Sequence, residues 1–214
     1  MDIEAQFQEY FEKLRAYDDV DDMVDNTEQD QAEALEGNFL DLARKHNSVF
    51  VKMVAEIPCE DWRLINCLVI MLSKDCTTWS SLFLDLLTRL FEEAKRSEAP
   101  EQIKESISAF VFLDGDEQPA CKEICGDVRR LCMKHFDSPR KAVRYAAIGL
   151  FGIQTYSEDI EAVDILRQFK KDSDWRIRYD ANRILNGLDG LPAEKGLGIL
   201  DGIRALFLQT SLFG

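Results

Sequence analysis

The sequence predicts an all-α protein, a right-handed α-solenoid in which about ten or eleven helices stack as antiparallel pairs. Three observations lead to this prediction. The segment VRYAA at Val143–Ala147 returns as IRYDA at Ile177–Ala181, an offset of 34 residues. Apolar residues recur at helical spacing along most of the chain. Proline and glycine, which interrupt helices, number only 5 and 11 among 214 residues.

Each copy of the repeated segment carries an apolar stripe with the spacing of one helical face, from Val143 to Leu150 and from Ile177 to Leu185. Residues suited to the start of a helix precede both stripes. These residues are Asp137-Ser138-Pro139 and Asp172-Ser173-Asp174. Their Asp and Ser oxygens can accept hydrogen bonds from free backbone N–H groups, and Pro139 suits a first turn. A further stripe from Ile160 to Phe169 lies between the copies, so each predicted unit is helix, short turn, helix.

The order of an Asp-containing turn, Val or Ile, Arg and then Ala resembles a HEAT repeat, particularly the short bacterial type. The resemblance implies stacked units joined by a polar ladder of Asp and Arg side chains. It would pair Asp137 with Arg144, and Asp172 or Asp174 with Arg178. The close match covers under a quarter of the chain. The alternative is a pair of ordinary amphipathic helices that happen to look alike.

A more distant third copy opens with a shared triplet. Asp61-Trp62-Arg63-Leu64-Ile65 aligns with Asp174-Trp175-Arg176-Ile177-Arg178, so Ile65 stands where the second copy has its ladder arginine. The offset between Asp61 and Asp174 is not a multiple of the repeat period. The units between them are therefore expected to be longer or irregular.

The remaining helices are predicted from apolar residues at helical spacing, with Pro58 separating the third from the fourth. A turn at Asp114-Gly115-Asp116 precedes the last of them. In chain order they cover residues 2–16, 32–46, 49–57, 62–73 and 78–96, a helix opened by Ala99-Pro100, and residues 119–135.

Charge and composition divide the chain into three predicted parts. Residues 1–31 would form an N-terminal helix and an acidic linker, residues 32–188 the helical repeat domain, and residues 189–214 a glycine-punctuated cap on the last repeat. The apolar end of the last part could instead bind a partner. Residues 1–50 carry 14 acidic and 4 basic side chains, so most of the net charge of −14 arises there.

The sequence indicates a binding surface more than a reaction centre. In a solenoid one helix of each unit lines the concave side, which usually binds, and Trp, Tyr and Arg dominate binding hot spots. The competing interpretation is that the arginines serve the ladder, that Trp175 packs between units, and that the acidic run is a solvated linker. The candidate partner-binding residues are Trp62, Arg63, Asn66, Arg140, Tyr145, Trp175, Arg176, Tyr179, Asn182 and Arg183 on the repeat helices, with Asp18, Asp19, Asp21 and Asp22 in the acidic run.

Neither metal binding nor catalysis is predicted. Cys121, Cys125 and Cys132 share one helical face with His135 beyond them, but Cys121 and Cys132 would stand ~16 Å apart along a helix. One zinc ion cannot reach both sulfurs, since Zn–S bonds are about 2.3 Å. We expect buried thiols that act as small apolar residues. The chain has no HExxH, GxSxG or P-loop motif, so we expect no enzyme and no cofactor.

We therefore expect a non-enzymatic protein–protein interaction module that acts by occupying a partner's surface. The acidic balance favours a basic partner, for example a nuclease toxin blocked by an immunity protein. The resemblance leaves two alternatives. One is a nucleic-acid-binding solenoid like those related to the alkylpurine glycosylases, which the net charge disfavours. The other is an accessory of a modifying enzyme, as in the HEAT-like bilin lyases.

The expected location is cytoplasmic, without a membrane partner. The chain lacks an apolar run of about 18 residues. Its first residues, MDIEAQFQEYFEKL, are acidic and lack the apolar core of a secretory signal.

Overall fold

The computed structural model describes residues 2–16, 26–73, 78–96, 119–155, 157–188 and 190–192. All secondary structure in these ranges is helical, which confirms the predicted all-α class. No helix among these residues is long and apolar enough to span a membrane. The chain forms two compact units, the first with the described residues up to Glu93 and the second with those from Ala94 onward.

The first unit contains the predicted helices with shifted ends. They are α1 (Ile3–Ala16), α2 (Asn26–Lys45), α3 (Asn47–Ala55), α4 (Trp62–Ser73) and α5 (Ser80–Arg96), the end of α5 falling beyond the unit boundary. Helix α2 begins at Asn26 and not at residue 32. The added residues, 26–31, are polar and carry no apolar stripe, but the Glu and Gln among them are good helix formers.

Aromatic rings fill the core of the first unit. The ring of Phe50 lies 5.6 Å from that of Phe7, 5.5 Å from that of Phe39 and 5.7 Å from that of Trp79. The indole N–H of Trp79 donates to the side-chain oxygen of Asn47 at 2.8 Å. Around this cluster α1 packs on α3 and α4, and α2 packs on α3.

The second unit has four helices in its described part, α6 (Pro119–Met133), α7 (Lys141–Ile153), α8 (Ile160–Phe169) and α9 (Trp175–Gly187). The consecutive pairs α6–α7 and α8–α9 pack together. Helix α7 also packs on α9, although α8 lies between them in sequence. The two copies of the repeated segment are thus in direct contact.

Small residues allow α7 and α9 to approach closely. A Cβ atom added at Gly152 would meet Ile184, at 2.8 Å from its Cγ2 and 3.0 Å from its Cγ1. Real Cβ atoms almost never come so near another carbon, so a side chain at residue 152 forces the helices or Ile184 to move. Ala147 and Ala181 are fully buried, as expected for the apolar stripes of the two copies.

The two copies begin their helices differently. In the second copy Asp174 caps α9 by accepting from the N–H of Arg176 at 3.0 Å, as the sequence predicted. The prediction for the first copy holds only in part, because Ser138 Oγ accepts from the N–H of Arg140 at 3.4 Å but Ser138 is not the N-cap residue. Its N-cap residue is Arg140, which makes no capping hydrogen bond within the described residues, and Pro139 precedes the helix. Arg140 has no acceptor atom in its side chain and therefore cannot cap.

Candidate partner-binding surfaces

The first Asp-Trp-Arg motif, Asp61–Arg63, opens α4. The carbonyl of Asp61 accepts from the N–H of Ile65 at 3.1 Å, which places Asp61 directly before the first helical residue. The guanidinium carbon of Arg63 lies 5.5 Å from the ring centroid of Trp62. Trp62 is half-buried and Arg63 is exposed, so the helix presents a stacked Trp–Arg pair at its start.

An ion pair from another helix holds this motif in place. Arg15 on α1 approaches one carboxylate oxygen of Asp61 with two nitrogens, Nε at 2.9 Å and Nη2 at 2.8 Å. The side chain of Arg15 is 34% exposed and that of Asp61 is 20% exposed. The contact therefore lies in a partly desolvated site, where a charge-assisted hydrogen bond is stronger than in open water.

The second motif, Asp174–Arg176, has the same local structure at the start of α9. The guanidinium carbon of Arg176 lies 5.8 Å from the ring centroid of Trp175. Trp175 is half-buried and Arg176 is exposed. The Asp174 carboxylate pairs with the Lys141 ammonium of α7 at 3.2 Å. The sequence match between the two triplets thus corresponds to a match in structure.

The protonation of Asp174 reflects this environment. Burial acts to raise the pKa of Asp174, but hydrogen bonds from the Arg176 N–H and the Lys141 ammonium outweigh it and hold that pKa below its usual value. The carboxylate is therefore ionised at neutral pH, as both capping and ion pairing require.

A polar contact joins α7 and α9 one turn further along. The hydroxyl of Tyr145 hydrogen-bonds the carboxylate of Asp180, and Arg183 Nε lies 3.5 Å from the same group. Burial, together with the hydrogen bond to Asp180, raises the pKa of Tyr145 well above its usual value, opposed by the charges of Arg183 and Arg176. Tyr145 is therefore neutral and donates its hydroxyl proton to Asp180.

The predicted Asp–Arg ladder takes a different form. Arg144 donates to the carbonyl of Ser138 at 2.8 Å, and the predicted partner Asp137 is exposed. Arg178 donates to the carbonyl of Asp172 at 2.7 Å, the equivalent contact in the second copy. Each arginine thus closes the turn before its own helix. These carbonyl oxygens are available because backbone groups of a turn have no partner within a helix. The contact was not predicted, because a side chain that reaches a carbonyl six residues earlier leaves no pattern in the sequence.

Two ion pairs link the helix pair α6–α7 to the helix pair α8–α9. Lys141 of α7 reaches Asp174 at the start of α9, as described above. Arg129 of α6 reaches Asp159, the N-cap residue of α8, whose carboxylate also accepts from the N–H of Ala162 at 3.1 Å. Each capping aspartate of the second helix pair is thus bound to a cation from the first.

Two asparagines among the predicted binding residues have buried amide oxygens. Asn66 Oδ1 and Asn182 Oδ1 have no hydrogen-bond partner among the described residues. Asn66 lies one turn after Trp62, and Asn182 lies two turns after Trp175. A buried acceptor without a donor is costly, and because both oxygens are enclosed by the protein, neither is an accessible contact point for a partner.

The structure brings some predicted residues together and separates others. Trp175, Tyr179 and Arg183 recur every four residues on one face of α9, with Arg176 beside them. Arg140 is half-buried, with Nη1 3.4 Å from the carbonyl of Ala94. The first motif and Asn66 belong to the other unit. The acidic candidates lie outside the described residues, namely Asp18, Asp19, Asp21 and Asp22.

The sequence prediction missed Asp180, and it did not include the ion pair between Lys141 and Asp174. Asp180 occupies the position of Ala146 in the first copy, and its buried carboxylate is the only charge that breaks the apolar stripe. That difference between VRYAA and IRYDA was the available signal. The Lys141–Asp174 pair had no such signal, since Lys141 lies before the repeated segment and Asp174 lies at the start of another helix.

The cysteines show no arrangement for metal binding in the described part of the chain, where no group of three or more His, Cys, Asp or Glu side chains could hold an ion. Cys125 and Cys132 are buried free thiols, and Cys59 and Cys67 are half-buried ones. Burial strongly raises the pKa of the Cys132 thiol, which disfavours the reactive thiolate.

Comparisons with known proteins add no family to this description. No protein-family model, no functionally described protein and no solved structure matches the chain.

Proposed function

We propose that the protein is a non-enzymatic protein–protein interaction module, a HEAT-like α-solenoid that acts by occupying a partner's surface. The observation that carries this proposal is the recurrence of the Asp-Trp-Arg motif. Twice it opens a helix, twice its Asp is ion-paired to another helix, and twice its Arg stacks on a half-buried Trp.

This arrangement suits binding because it is fixed before a partner arrives. Trp and Arg are the residues most enriched at energetic hot spots. Stacking and the neighbouring ion pair restrict the side chains, so less conformational entropy is lost when they are covered. An exposed cation–π contact contributes only about 0.5–1 kcal/mol. The Trp–Arg pair therefore adds little to the stability of the fold, which favours a role in binding.

The packing of the second unit supports the solenoid part of the proposal. Consecutive helices pair, α7 stacks on α9, and the Arg-to-carbonyl contacts of Arg144 and Arg178 recur at the repeat period. In repeat proteins each unit contacts its neighbours through equivalent helices. The ion pairs Arg129–Asp159 and Lys141–Asp174 connect helices that would be equivalent in two adjacent units.

We further propose that the partner has a basic surface, as a nuclease-type toxin would, and that the interaction takes place in the cytoplasm. The support is the net charge of −14, concentrated in residues 1–50. Carboxylates at Asp18, Asp19, Asp21 and Asp22 would speed encounter with such a partner by long-range attraction.

Affinity capture with matched variants tests the proposal. Immobilised wild-type protein is exposed to a lysate of the source cells, and retained proteins are identified by mass spectrometry. The variants Trp62→Ala/Arg63→Ala and Trp175→Ala/Arg176→Ala are run in parallel. The control Arg130→Ala/Met133→Ala removes an Arg and a large apolar side chain from exposed positions on α6.

We expect a protein that the wild type and the control retain and that at least one motif variant loses. Its affinity should fall by ~2 kcal/mol or more, about thirtyfold, for the motif that forms a hot spot. Replacing the four aspartates by Asn should slow association, and the effect should fade as salt shortens the Debye length from ~10 Å at 0.1 M to ~3 Å at 1 M. Identical retention by all variants would contradict the proposal.

A further inference from the structure

We propose that the surface formed by α7 and α9 binds an acidic segment of a partner protein. This inference rests on the proposed function as an interaction module and specifies the chemistry that one of its surfaces recognises. The surface, called here the α7–α9 face, consists of Lys141, Tyr145, Trp175, Arg176, Tyr179 and Arg183.

The charge of these two helices is opposite to that of the chain. Together α7 and α9 carry five basic side chains and one acidic side chain, whereas the whole chain carries 26 basic and 40 acidic ones. The single acidic residue, Asp180, is only 5% exposed. Asp180 is offset by Arg183, whose Nε lies 3.5 Å away, and Asp174 at the N-cap of α9 is offset by Lys141. The two helices with this cap therefore keep three basic side chains in excess, and the face is locally cationic.

The geometry brings the exposed cations to one place. Arg176 and Arg183 are seven residues apart on α9, about two turns along the same side of the helix, and both are exposed. The side chain of Arg183 is 66% exposed while its Nε faces Asp180. A guanidinium has five N–H donors in a planar fork that fits a carboxylate, so both arginines can bind a second acid from outside.

Aromatic side chains complete the face. Trp175 and Tyr179 are one turn apart on α9, and Arg176 lies over the ring of Trp175. An aromatic ring beside a guanidinium fork offers an apolar contact next to a carboxylate contact. The occupant that fits is therefore a peptide segment in which acidic residues are interleaved with apolar ones.

The same observations argue against nucleic acid as the occupant. Backbone binding depends on several cations that neutralise phosphates together. On these two helices Lys141 is paired with Asp174, while Arg144 and Arg178 donate to backbone carbonyls of their own turns. The net charge of −14 also repels a long polyanion. A short acidic segment needs only the local pair of exposed arginines.

Fluorescence anisotropy with the full chain tests this inference. The probes are a short labelled peptide of alternating Glu and Leu, a matched peptide of alternating Lys and Leu, and a labelled DNA duplex. The variants are Arg176→Glu alone and Arg176→Glu/Arg183→Glu. The control Arg130→Glu/Lys134→Glu makes the same charge change at exposed positions of α6 and its end. Far-UV circular dichroism establishes that each variant is folded.

We expect the Glu peptide to bind more tightly than the Lys peptide in physiological salt. Arg176→Glu should lower the affinity for the Glu peptide by about tenfold, as loss of a charge pair at an interface does. The double variant should lower this affinity further. The control should keep wild-type affinity. Preference for the Lys peptide, tighter binding of the duplex, or an equal loss in the control would each overturn the inference.

The result is distinguishable from a failure of the proposed function. A captured partner that depends on the Asp-Trp-Arg motifs, combined with no preference for the Glu peptide, would overturn the acidic-segment inference alone. Motif variants that leave capture unchanged would overturn the proposed function, whatever the peptides show.

Discussion

The two units of this protein fill their interiors in different ways. In the first, the ring of Phe50 is surrounded by Phe7, Phe39 and Trp79 at centroid distances of 5.5–5.7 Å. In the second, α7 and α9 meet where Gly152 leaves space for a branched side chain. One core depends on large rings and the other on the absence of a side chain.

Both units nevertheless carry the Asp-Trp-Arg motif in the same local structure. A motif that served core packing would be expected to depend on the kind of core beneath it. Its recurrence on two different cores indicates a local role, in which an ion pair holds the Asp at the helix start and the Arg stacked on the half-buried Trp is exposed. The recurrence supports the proposal that the motif contacts a partner.

The ring cluster of the first unit should be the most sensitive to truncation. Phe50 is fully buried, and Phe50→Ala should lower the free energy of unfolding by ~3–5 kcal/mol because it removes ring contacts and leaves a cavity. Val51, its partly exposed neighbour, supplies the control, and Val51→Ala should cost under about 0.5 kcal/mol. Urea denaturation measures both. Similar values for the two would show that the rings do not dominate this core.

The close approach in the second unit should instead be sensitive to added volume. Gly152→Val should cost ~1–3 kcal/mol through overpacking against Ile184. Placing it in an Ile184→Ala background should relieve part of that cost, which a double-mutant cycle reveals. Gly37 on α2 is the control, since no described atom lies within 4 Å of an added Cβ there.

Gly37→Ala should therefore stabilise the protein by up to about 1 kcal/mol, the helix-propensity difference between the two residues. Equal and favourable effects of Ala at Gly37 and at Gly152 would mean that α7 and α9 are further apart than described.

Much of the fold was predictable because apolar periodicity reports which face of a helix is buried. The helices predicted at residues 2–16, 62–73 and 78–96 correspond to α1, α4 and α5 within two residues at each end. The start of α2 was missed because a polar helical turn has no apolar stripe. The cap of α7 was misassigned because Asp137 and Ser138, which are both suited to capping, precede the helix, and only the folded chain shows which residue starts it.

The candidate site was predictable only in its local part. Aligning the two triplets identified Trp62–Arg63 and Trp175–Arg176 without structural information. The cations that hold them were not predictable, because Arg15 lies 46 residues from Asp61 and Lys141 belongs to another helix than Asp174. Which of many exposed charges meets a given carboxylate is decided by tertiary packing.

The two motifs should differ in how much their ion pairs stabilise the fold. Arg15 contacts Asp61 through two nitrogens and is 34% exposed, whereas Lys141 contacts Asp174 through one and is 76% exposed. Arg15→Ala should cost roughly 1–2 kcal/mol, as loss of a partly buried charge-assisted hydrogen bond does. Lys141→Ala should cost under about 1 kcal/mol, because exposed ion pairs contribute little. Urea denaturation that ranks them in reverse would contradict the comparison.

The smallest of these effects separates the capping role of Asp174 from its ion pair. Asp174→Ala should cost about 1 kcal/mol at neutral pH, the usual effect of losing an N-cap. Asp174→Asn keeps an oxygen that can cap and should cost less. Asp137→Ala, at the exposed residue that does not cap α7, should be close to neutral.

The pH dependence of this effect follows from the lowered pKa of Asp174 in the folded chain. A carboxyl group whose pKa is depressed by folding stabilises the protein above its unfolded pKa, about 3.9, and loses that contribution as pH falls through the folded value. The difference in unfolding free energy between wild type and Asp174→Ala should therefore be constant from pH 7 to about pH 5 and shrink in stronger acid.

Asp174→Asn has no carboxyl group at this residue, so the difference in unfolding free energy between Asp174→Asn and Asp174→Ala should not change in that window. Urea titrations at each pH measure both differences. A wild-type advantage that persisted undiminished through the acid range would mean that the Asp174 carboxylate is not what stabilises the start of α9.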